Sequence, residues 1–389
     1  MDVQQKLDAL LGAATDAGTV PGIAALVTDA DGTTYQNAFG ERVLGSGTPM
    51  TTDTVLWIAS MTKAITGAAA MQLVEQGRLD LDAPARAVVP EIGELQVLEG
   101  FDADGQPKLR PPRQDITLRH LLTHTAGCVY DMWSEDIARC VEVLGIPPIS
   151  SRKRASLMLP LLFDPGTRWE YGTGIDWAGL MVEAVSGQTL GAYMAEHLFA
   201  PMGMTSTTFA STEEMHRRKA KMHVRGPDGS LHPQPDSPPS DTAGFEMGGG
   251  GLLGTVEDYG CFIRMILNRG QAGGQQILKP ETVDMMSVNQ MGDSRVTKLK
   301  SAGGVSNDAE FFPGIEKTWG LSFMINEQDA PTGRAAGSLA WAGLANTYYW
   351  IDPKNGIGGV YATQILPFAD DEALPHYLAF EKAVYDCLN

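Results

Sequence analysis

The feature that most constrains this chain is the stretch from Val55 to Lys63, in which an apolar run leads into Ser-Met-Thr-Lys. The residues from Ala64 to Gly77 are rich in alanine, methionine and leucine, and they predict a helix that ends at Gly77. Ser60 would then lie in the first helical turn, where free N–H groups and the helix dipole favour negative charge. Lys63 follows three residues later on the same face, within reach of the Ser60 hydroxyl. This arrangement predicts a nucleophilic serine whose proton a lysine helps to remove.

The same four-residue pattern occurs again from Ser150 to Lys153, so the pattern alone does not identify a site. The second copy runs into Arg154 and forms a basic stretch without apolar neighbours. Lys63 differs because isoleucine and alanine residues flank it, and these could desolvate the amine and lower its pKa. The alternative, in which Ser60 only caps a helix, stays open until other motifs are considered.

Composition restricts the class of protein. At 389 residues, with 43% hydrophobic and 20% charged residues, the chain is typical of a folded protein of about two domains. Its net charge of −18 argues against nucleic acid and anionic membrane surfaces as partners. The N-terminal residues show no signal-peptide pattern and no apolar run could span a membrane, so we expect a cytoplasmic protein. The four cysteines show no Cys-x-x-Cys spacing, which favours buried thiols over a zinc or redox site.

The order of predicted elements indicates the fold class. A helix over 3–17 is followed by a hairpin of strands at 22–28 and 33–39, joined at Asp31-Gly32. Near the other end the pattern predicts further strands and a closing helix. These strands are at 319–326, 338–341, 347–352 and 358–364, and the helix is at 372–388.

The middle of the chain is different, since helices and long loops rich in proline and glycine dominate it. The clearer helices are predicted at 118–124, 177–186 and 190–199, and the long loops at 101–113 and 225–251. We therefore predict an α+β fold in which residues 1–79 and 286–389 form an antiparallel sheet flanked by terminal helices. Residues 80–285 would form a mostly helical inserted domain, with the site in the cleft between the two.

Two further stretches contain candidate catalytic groups. Tyr171 stands among glycines on a loop, and a phenol near a lysine would have a lowered pKa and could act as a general base. The alternative is an aromatic side chain that only packs under the loop. At the end of a strand, Gly343 could present the N–H of Leu344 to an oxyanion, opposite the N–H of Ser60. Trp341 in the same stretch could also be a core residue.

Three other patterns carry less weight. His120 and His124 have a metal-ligand spacing, but no glutamate stands between them as in His-Glu-x-x-His and no third ligand is evident. Capping or packing roles are therefore favoured, and we expect no metal and no cofactor. The run from Gly249 to Gly254 matches a dinucleotide fingerprint but does not follow a strand in a βαβ unit, so it predicts a flexible loop before a helix at 256–267. Gly-x-Ser-x-Gly is absent, which excludes the ordinary α/β-hydrolase elbow.

The candidate motifs together resemble those of the serine β-lactamase and penicillin-binding-protein superfamily, in particular the family VIII carboxylesterases, which look like class C β-lactamases. The motifs are Ser60-Met-Thr-Lys63, Tyr171-Gly-Thr173 and Trp341-Ala-Gly343, with support from the stretches 121–127, 164–167 and 248–252. The resemblance spans nearly the whole chain. It implies a β-lactamase/transpeptidase-like fold, catalytic roles for Ser60, Lys63 and Tyr171, and an oxyanion hole made by the N–H groups of Ser60 and Leu344.

The chain departs from the β-lactamases at two positions. They carry Tyr-x-Asn where this chain has Tyr171-Gly-Thr173, so an amide that would contact an acylamino group is missing. They also carry Lys-Thr-Gly where this chain has Trp341-Ala-Gly343, so a cation for a substrate carboxylate is missing. Both departures favour neutral esters over anionic lactams. The same traits fit the fungal acyltransferases that resemble these esterases.

The sequence therefore predicts a serine carboxylesterase that hydrolyses short neutral esters through an acyl-enzyme. The alternatives are an acyltransferase that uses an alcohol acceptor, a weak β-lactamase, and a non-catalytic penicillin-recognition or scaffold protein. The expected partner is a small-molecule ester, and the sequence does not indicate an oligomeric state. The substrate pocket is expected to include Trp341 and Gly343, with weaker candidates at Tyr130, Trp133, Trp169, Met247 and Phe312.

Overall fold

The computed structural model describes residues 3–235 and 245–388, so the predicted loop at 225–251 lies partly outside the described residues. A seven-stranded sheet forms its centre, and every neighbouring pair of strands in it is antiparallel. Its strands are β1 (Gly22–Asp29), β2 (Thr33–Gly40), β3 (Lys317–Trp319), β4 (Met324–Asn326), β5 (Leu339–Gly343), β6 (Thr347–Asp352) and β7 (Ile357–Ala362). Their order across the sheet is β3-β4-β5-β6-β7-β1-β2.

The N-terminal hairpin completes a sheet whose other strands come from the C-terminal part of the chain. β1 pairs with β7, so that Ala24 lies opposite Ala362. In the turn between β1 and β2, the N–H groups of Asp31 and Gly32 donate to the Asp29 carboxylate at 2.8 Å, which stabilises a tight turn. The predicted α+β fold with a central antiparallel sheet is confirmed.

The helices surround this sheet and fill the middle of the chain. They are α1 (Val3–Asp16), α2 (Thr62–Glu75), α3 (Leu118–Leu122), α4 (Glu135–Leu144), α5 (Gly174–Ser186), α6 (Leu190–Met194), α7 (Ala200–Met202), α8 (Glu213–Arg218), α9 (Val256–Leu267), α10 (Pro280–Met286) and α11 (Ala373–Tyr385). A π-helical turn, Ala195–Phe199, connects α6 to α7. Within residues 3–235 and 245–388, no helix has both the length and the apolar composition needed to cross a membrane.

Short paired strands lie outside the central sheet. They are Leu56–Trp57 with Leu253–Gly254, Val97–Phe101 with Pro107–Arg110, Gln271–Ala272 with Gln275–Gln276, and His223–Arg225 with both Leu231–Pro233 and Ile365–Leu366. The first pair ties the segment before Ser60 to the glycine-rich segment that precedes α9.

Helices cover both faces of the sheet. Consecutive residues of a strand point to opposite faces, and this separates Tyr348 from Tyr349. The ring of Tyr348 stacks on Tyr377 of α11 at 4.5 Å between centroids, whereas Tyr349 contacts Tyr259 of α9 at 5.0 Å. α9 therefore packs on the sheet although it lies inside the segment predicted as a helical domain, and the division at residues 80 and 285 stays a prediction.

Helix α2 is buried on all sides. Every residue from Thr62 to Leu73 is buried, as expected for a helix of alanine, threonine and methionine without a polar face. Gly77 ends this segment with a φ of 68°, a left-handed conformation that glycine adopts without a steric penalty. The predicted helix and its end are confirmed, and the helix places Lys63 in the interior.

One predicted strand, at 319–326, forms the two strands β3 and β4. Between them the N–H of Gly320 donates to the carbonyl of Phe323 at 2.8 Å, and Ser322 has a φ of 80°. This turn lies against Gly67 of α2, where a Cβ atom would overlap Ser322. The apolar pattern of 319–326 did not indicate this turn. It depends on the positive φ of Ser322 and on the contact with α2, which is distant in sequence.

The sheet core allows a test of packing. Gly359 of β7 lies opposite Trp350 of β6, and a Cβ at Gly359 would come within 2.6 Å and 2.7 Å of indole carbons. Gly359→Ala should therefore lower the free energy of unfolding by about 1–3 kcal/mol, as overpacking does, in urea titrations followed by circular dichroism. Gly303→Ala is the control, because no atom lies within 4 Å of its Cβ. Equal stability of the two variants would contradict this account.

Candidate active site

Ser60 lies in a 3₁₀ turn, Ala59–Met61, that leads directly into α2. Ala59 has a φ of 46°, a left-handed conformation that is strained for alanine and turns the chain sharply before Ser60. On the preceding side, the N–H of Ile58 donates to the carbonyl of Leu252 at 3.2 Å. The half-buried Ser60 side chain therefore stands at the positive end of a buried helix, as the sequence predicts.

The amine of Lys63 connects several parts of the site. Its Nζ lies 3.2 Å from Ser60 Oγ and 3.0 Å from the Tyr130 hydroxyl, and it also donates to the Gly249 carbonyl. Only 1% of the residue is exposed. Burial lowers the pKa of Lys63 to about 7, against the opposing effect of the Asp176 charge. Near neutral pH a large fraction of this amine is uncharged and can accept a proton from Ser60.

Tyr171 is also in the site, but its hydroxyl has other partners than predicted. It accepts a hydrogen bond from the indole N–H of Trp341 at 2.9 Å and is hydrogen-bonded to Ser60, while Lys63 Nζ lies 4.7 Å from the centre of its ring. Burial raises the pKa of Tyr171, and its two hydrogen bonds offset this only in part. The prediction that a neighbouring lysine would lower this pKa is wrong, because loss of hydration outweighs the hydrogen bonds that favour the phenolate.

Tyr130 was a candidate for the wall of the substrate pocket, but it lies closer to the reactive groups than that and contacts Lys63 directly. Its hydroxyl accepts from Lys63, and its ring lies 5.5 Å from the ring of Tyr171. Burial raises the pKa of Tyr130 well above its usual value, so the phenol stays protonated. Its position after the stretch 121–127 was the available signal, but no spacing rule links it to Lys63.

Aromatic side chains enclose the reactive groups. The ring of Trp133 lies 5.3 Å from that of Tyr171, and its indole N–H donates to Ser306 Oγ at 3.1 Å. Trp341 packs between Tyr171 at 4.7 Å and Phe311 at 5.9 Å. The pocket candidates Trp133 and Trp341 therefore both lie against Tyr171.

Two other pocket candidates lie elsewhere. Phe312 is buried with its ring 4.8 Å from the Arg334 guanidinium, and its neighbour Phe311 makes the contact with Trp341 instead. Trp169 is 2% exposed and packs against His124 and Trp319 behind Tyr171, so it supports the site from the core. The sequence could not distinguish aromatic residues that line the site from those that pack in the core behind it. Neither the residue type nor the position next to another aromatic residue indicates which way a ring faces.

Met247 and Gly343 border the site through their backbones. The half-buried Met247 accepts from the N–H of Gly251 at 2.8 Å, in the turn that carries Gly249. At the end of β5, a Cβ on Gly343 would overlap the carbonyl of Ile58, so the strand end and the turn before Ser60 touch. Leu344 directly follows this contact, and its N–H as a donor to an oxyanion stays a prediction.

The competing motifs have local roles. Ser150 and Lys153 of the second Ser-x-x-Lys copy are both exposed. His120 completes a capping box with Thr117 at the start of α3. His124 is buried against the ring of Tyr171 at 4.6 Å, and its Nδ1 accepts from the Gly172 N–H at 3.4 Å. The favoured interpretation of both histidines as capping or packing residues therefore agrees with these contacts.

One acidic residue in the site was not predicted. Asp176, which directly precedes the helix predicted at 177–186, is fully buried in α5, and its Oδ1 accepts from the N–H of Gly249 at 2.8 Å. It stands five residues after Tyr171 in a stretch already singled out, but a helix N-terminus is a common position for aspartate. Its proximity to Lys63 arises only in the folded chain.

Comparisons with known proteins agree with this geometry. The family model described as Beta-lactamase matches residues 7–383. Lovastatin esterase of Penicillium rubens is 34% identical over 380 residues, covering 94% of each chain. Monacolin J acid methylbutanoyltransferase of Aspergillus terreus is 31% identical over 390 residues, covering 94% of this chain and 92% of its own. Among solved structures, a simvastatin synthase mutant from Aspergillus terreus superposes with a TM-score of 0.86 at 31% identity, covering 99% of this chain and 97% of its own.

The contact between β5 and the Ser60 turn can be tested. Gly343→Ala should push the strand end away from Ile58 and displace Leu344, so that kcat/KM for a nitrophenyl ester falls on the order of 10²-fold. Gly304→Ala, which adds a Cβ with no atom within 4 Å, is the control and should keep its activity. Circular dichroism would verify that both variants fold. Normal turnover by a folded Gly343→Ala protein would contradict the role of this contact.

Proposed function

The chain belongs to the Beta-lactamase family, and from that premise we propose that it is a serine acyltransferase that moves a short acyl group from Ser60 onto the hydroxyl of an alcohol. The observation that carries the proposal is the hydrogen bond of 3.2 Å between Ser60 Oγ and the buried amine of Lys63. A serine with a neutral amine at this distance is an activated nucleophile. Acyl-enzyme chemistry follows from this pair, and the acceptor decides between transfer and hydrolysis.

The relatives favour transfer over the hydrolysis that the sequence alone favours. One relative is named as a methylbutanoyltransferase and the solved structure as a synthase, and both cover more than nine-tenths of this chain. The relative named as an esterase supports hydrolysis as the second candidate. Both reactions pass through the same acyl-enzyme. A family VIII esterase and a transferase therefore differ only in the second half of the cycle, where water or an alcohol accepts the acyl group.

In the first half of the cycle, Ser60 Oγ attacks the carbonyl carbon of the donor while its proton moves to Lys63 Nζ. The N–H groups of Ser60 and Leu344 stabilise the oxyanion. As the ester bond breaks, the Lys63 ammonium returns the proton to the leaving oxygen, which the Tyr171 hydroxyl holds by a hydrogen bond. Tyr171 has this donor role because its raised pKa keeps it protonated.

In the second half, the acceptor alcohol takes the place of the leaving group. Lys63, again neutral, removes the proton of the acceptor hydroxyl while the oxygen of that hydroxyl attacks the acyl carbon. Ser60 leaves and regains the proton from Lys63. The aromatic side chains around the site, Trp133 and Trp341 among them, leave little polar surface to hold water, which favours a carbon-bearing alcohol.

The nucleophile is tested by a pair of variants. Ser60→Ala should reduce acyl release from 4-nitrophenyl 2-methylbutanoate on the order of 10⁴-fold, as loss of a catalytic serine does. Ser150→Ala is the matched control, because it removes the serine of the exposed second copy. Its kinetics should equal those of the unmodified protein, whereas similar losses in both variants would contradict the assignment of Ser60.

The acceptor is tested by product analysis. The same donor is incubated with millimolar monacolin J acid or cyclohexanol, and the new ester and free acid are quantified by mass spectrometry. We expect the new ester to exceed the acid with at least one alcohol. Free acid alone with every alcohol tried would refute transfer and support the esterase.

A chromogenic cephalosporin should be turned over poorly, since Trp341 offers no cation to a carboxylate. Efficient turnover would instead support the β-lactamase alternative.

A further inference from the structure

The glycine that binds Lys63 is held from its other side by Asp176. Gly249 donates its N–H to Asp176 Oδ1 at 2.8 Å and accepts from Lys63 Nζ with its carbonyl. A Cβ at this position would overlap the Asp176 carboxylate, so only glycine can pass between the two groups. One residue of the glycine-rich segment therefore connects the carboxylate of α5 to the amine of α2.

The Asp176 carboxylate is an expensive group to bury here. The residue has 0% exposure, and its Oδ2 has no hydrogen-bond partner among residues 3–235 and 245–388. A buried carboxylate with an unsatisfied oxygen costs free energy of folding, so packing does not explain it. Its favourable interaction is with the charge of Lys63, which opposes the rise that burial causes in the pKa of Asp176 to about 6.

The other titratable groups that face this pair are neutral near pH 7. Burial and the nearby amine lower the pKa of His124 well below its usual value. Burial raises the pKa of Cys128 to about 12. The two phenols, Tyr130 and Tyr171, stay protonated for the same reason. Asp176 is therefore the only charged side chain that faces Lys63 in the part of the chain that the structure describes.

We propose that Asp176 is a positioning residue for Lys63: it holds Gly249 so that the Gly249 carbonyl directs the amine toward Ser60, and its charge sets the pH at which that amine loses its proton. This inference rests on the acyl-enzyme part of the proposed function and is independent of the acceptor. The negative charge favours the ammonium form of Lys63, and burial favours the neutral amine. The balance between them places the working form of Lys63 near neutral pH rather than far below it.

The sign of the effect follows from this balance. In the unmodified protein, the rate of Ser60 modification should rise with pH as Lys63 deprotonates, with an acid limb near a pKa of about 7. Asp176→Asn keeps an oxygen that can accept from Gly249 and removes the charge. Without that charge the ammonium is less favoured, so the acid limb should move to lower pH by about one unit.

The readout is the rate of covalent labelling of Ser60 by a fluorophosphonate between pH 5 and about 9, the range that brackets this limb. Labelling is measured by mass spectrometry on the full-length protein and needs neither ester nor alcohol. Failure of acyl transfer to alcohols would therefore leave this test intact. Absence of labelling in the unmodified protein would overturn both the acyl-enzyme mechanism and the role of Asp176.

Asp258→Asn is the matched control. Asp258 is another buried aspartate, and it accepts from the Ser206 N–H and the Thr207 hydroxyl at 2.7 Å, away from the site. Its variant should keep the acid limb of the unmodified protein even if its melting temperature falls. A merely structural role for Asp176 would lower the labelling rate at every pH without moving the limb, and that result, or a shift to higher pH, overturns the proposal.

A reciprocal measurement covers the case in which Asp176→Asn does not fold. In Lys63→Met the ammonium is gone, so the carboxyl of Asp176 should hold its proton to higher pH than in the unmodified protein. The ¹³Cγ resonances of labelled aspartates report this shift directly. An unchanged highest-titrating aspartate would show that the two groups are not coupled and would overturn the proposal.

Discussion

An exposed lysine keeps its proton near neutral pH and cannot take one from a serine hydroxyl. In this protein Lys63 lies on the buried helix α2, and the burial of its amine lowers the pKa of that amine to about 7. A buried amine without hydrogen-bond partners would destabilise the fold, so polar groups must lie next to it in this low-dielectric interior. Ser60, Tyr130 and the Gly249 carbonyl meet that requirement, and they are also the groups that define the site.

The fold supplies these groups from distant parts of the chain. Ser60 and Lys63 come from the start of α2, Tyr130 from the segment after α3, and Gly249 from the segment before α9. The sheet adds Trp341, whose strand β5 ends against the turn that precedes Ser60. Glycine stands where these elements approach most closely: Gly343 lies against the backbone carbonyl of Ile58, and Gly249 lies against the Asp176 carboxylate. The site is therefore a consequence of packing several elements around one helix.

Much of the fold was predictable from local patterns, and so were the reactive residues. The hairpin around Asp31-Gly32, the helix that ends at Gly77 and the antiparallel sheet all follow from turn chemistry and periodicity. Ser60, Lys63 and Tyr171 stand in spaced motifs, and the folded chain brings them together. Two other neighbours of Lys63, Tyr130 and Asp176, were not predictable as such, because neither has a fixed spacing to it in the sequence. The choice between Phe311 and Phe312 likewise depends on a φ of 50° at Phe312 that no residue pattern indicates.

The indole at position 341 explains why Lys63 must be the base in the proposed mechanism. A lysine there, as in the β-lactamases that the motif resembles, would place a second cation beside the Tyr171 hydroxyl and favour its phenolate. Trp341 instead donates a neutral N–H to that hydroxyl, and burial keeps the phenol protonated. In the proposed mechanism no phenolate is available, so the Lys63 amine accepts the serine proton, and the charge of Asp176 opposes the fall in its pKa that burial causes. In the proposed mechanism, tryptophan at this position thus offers no cation to a substrate carboxylate and leaves Lys63, with Asp176 nearby, as the source of basicity.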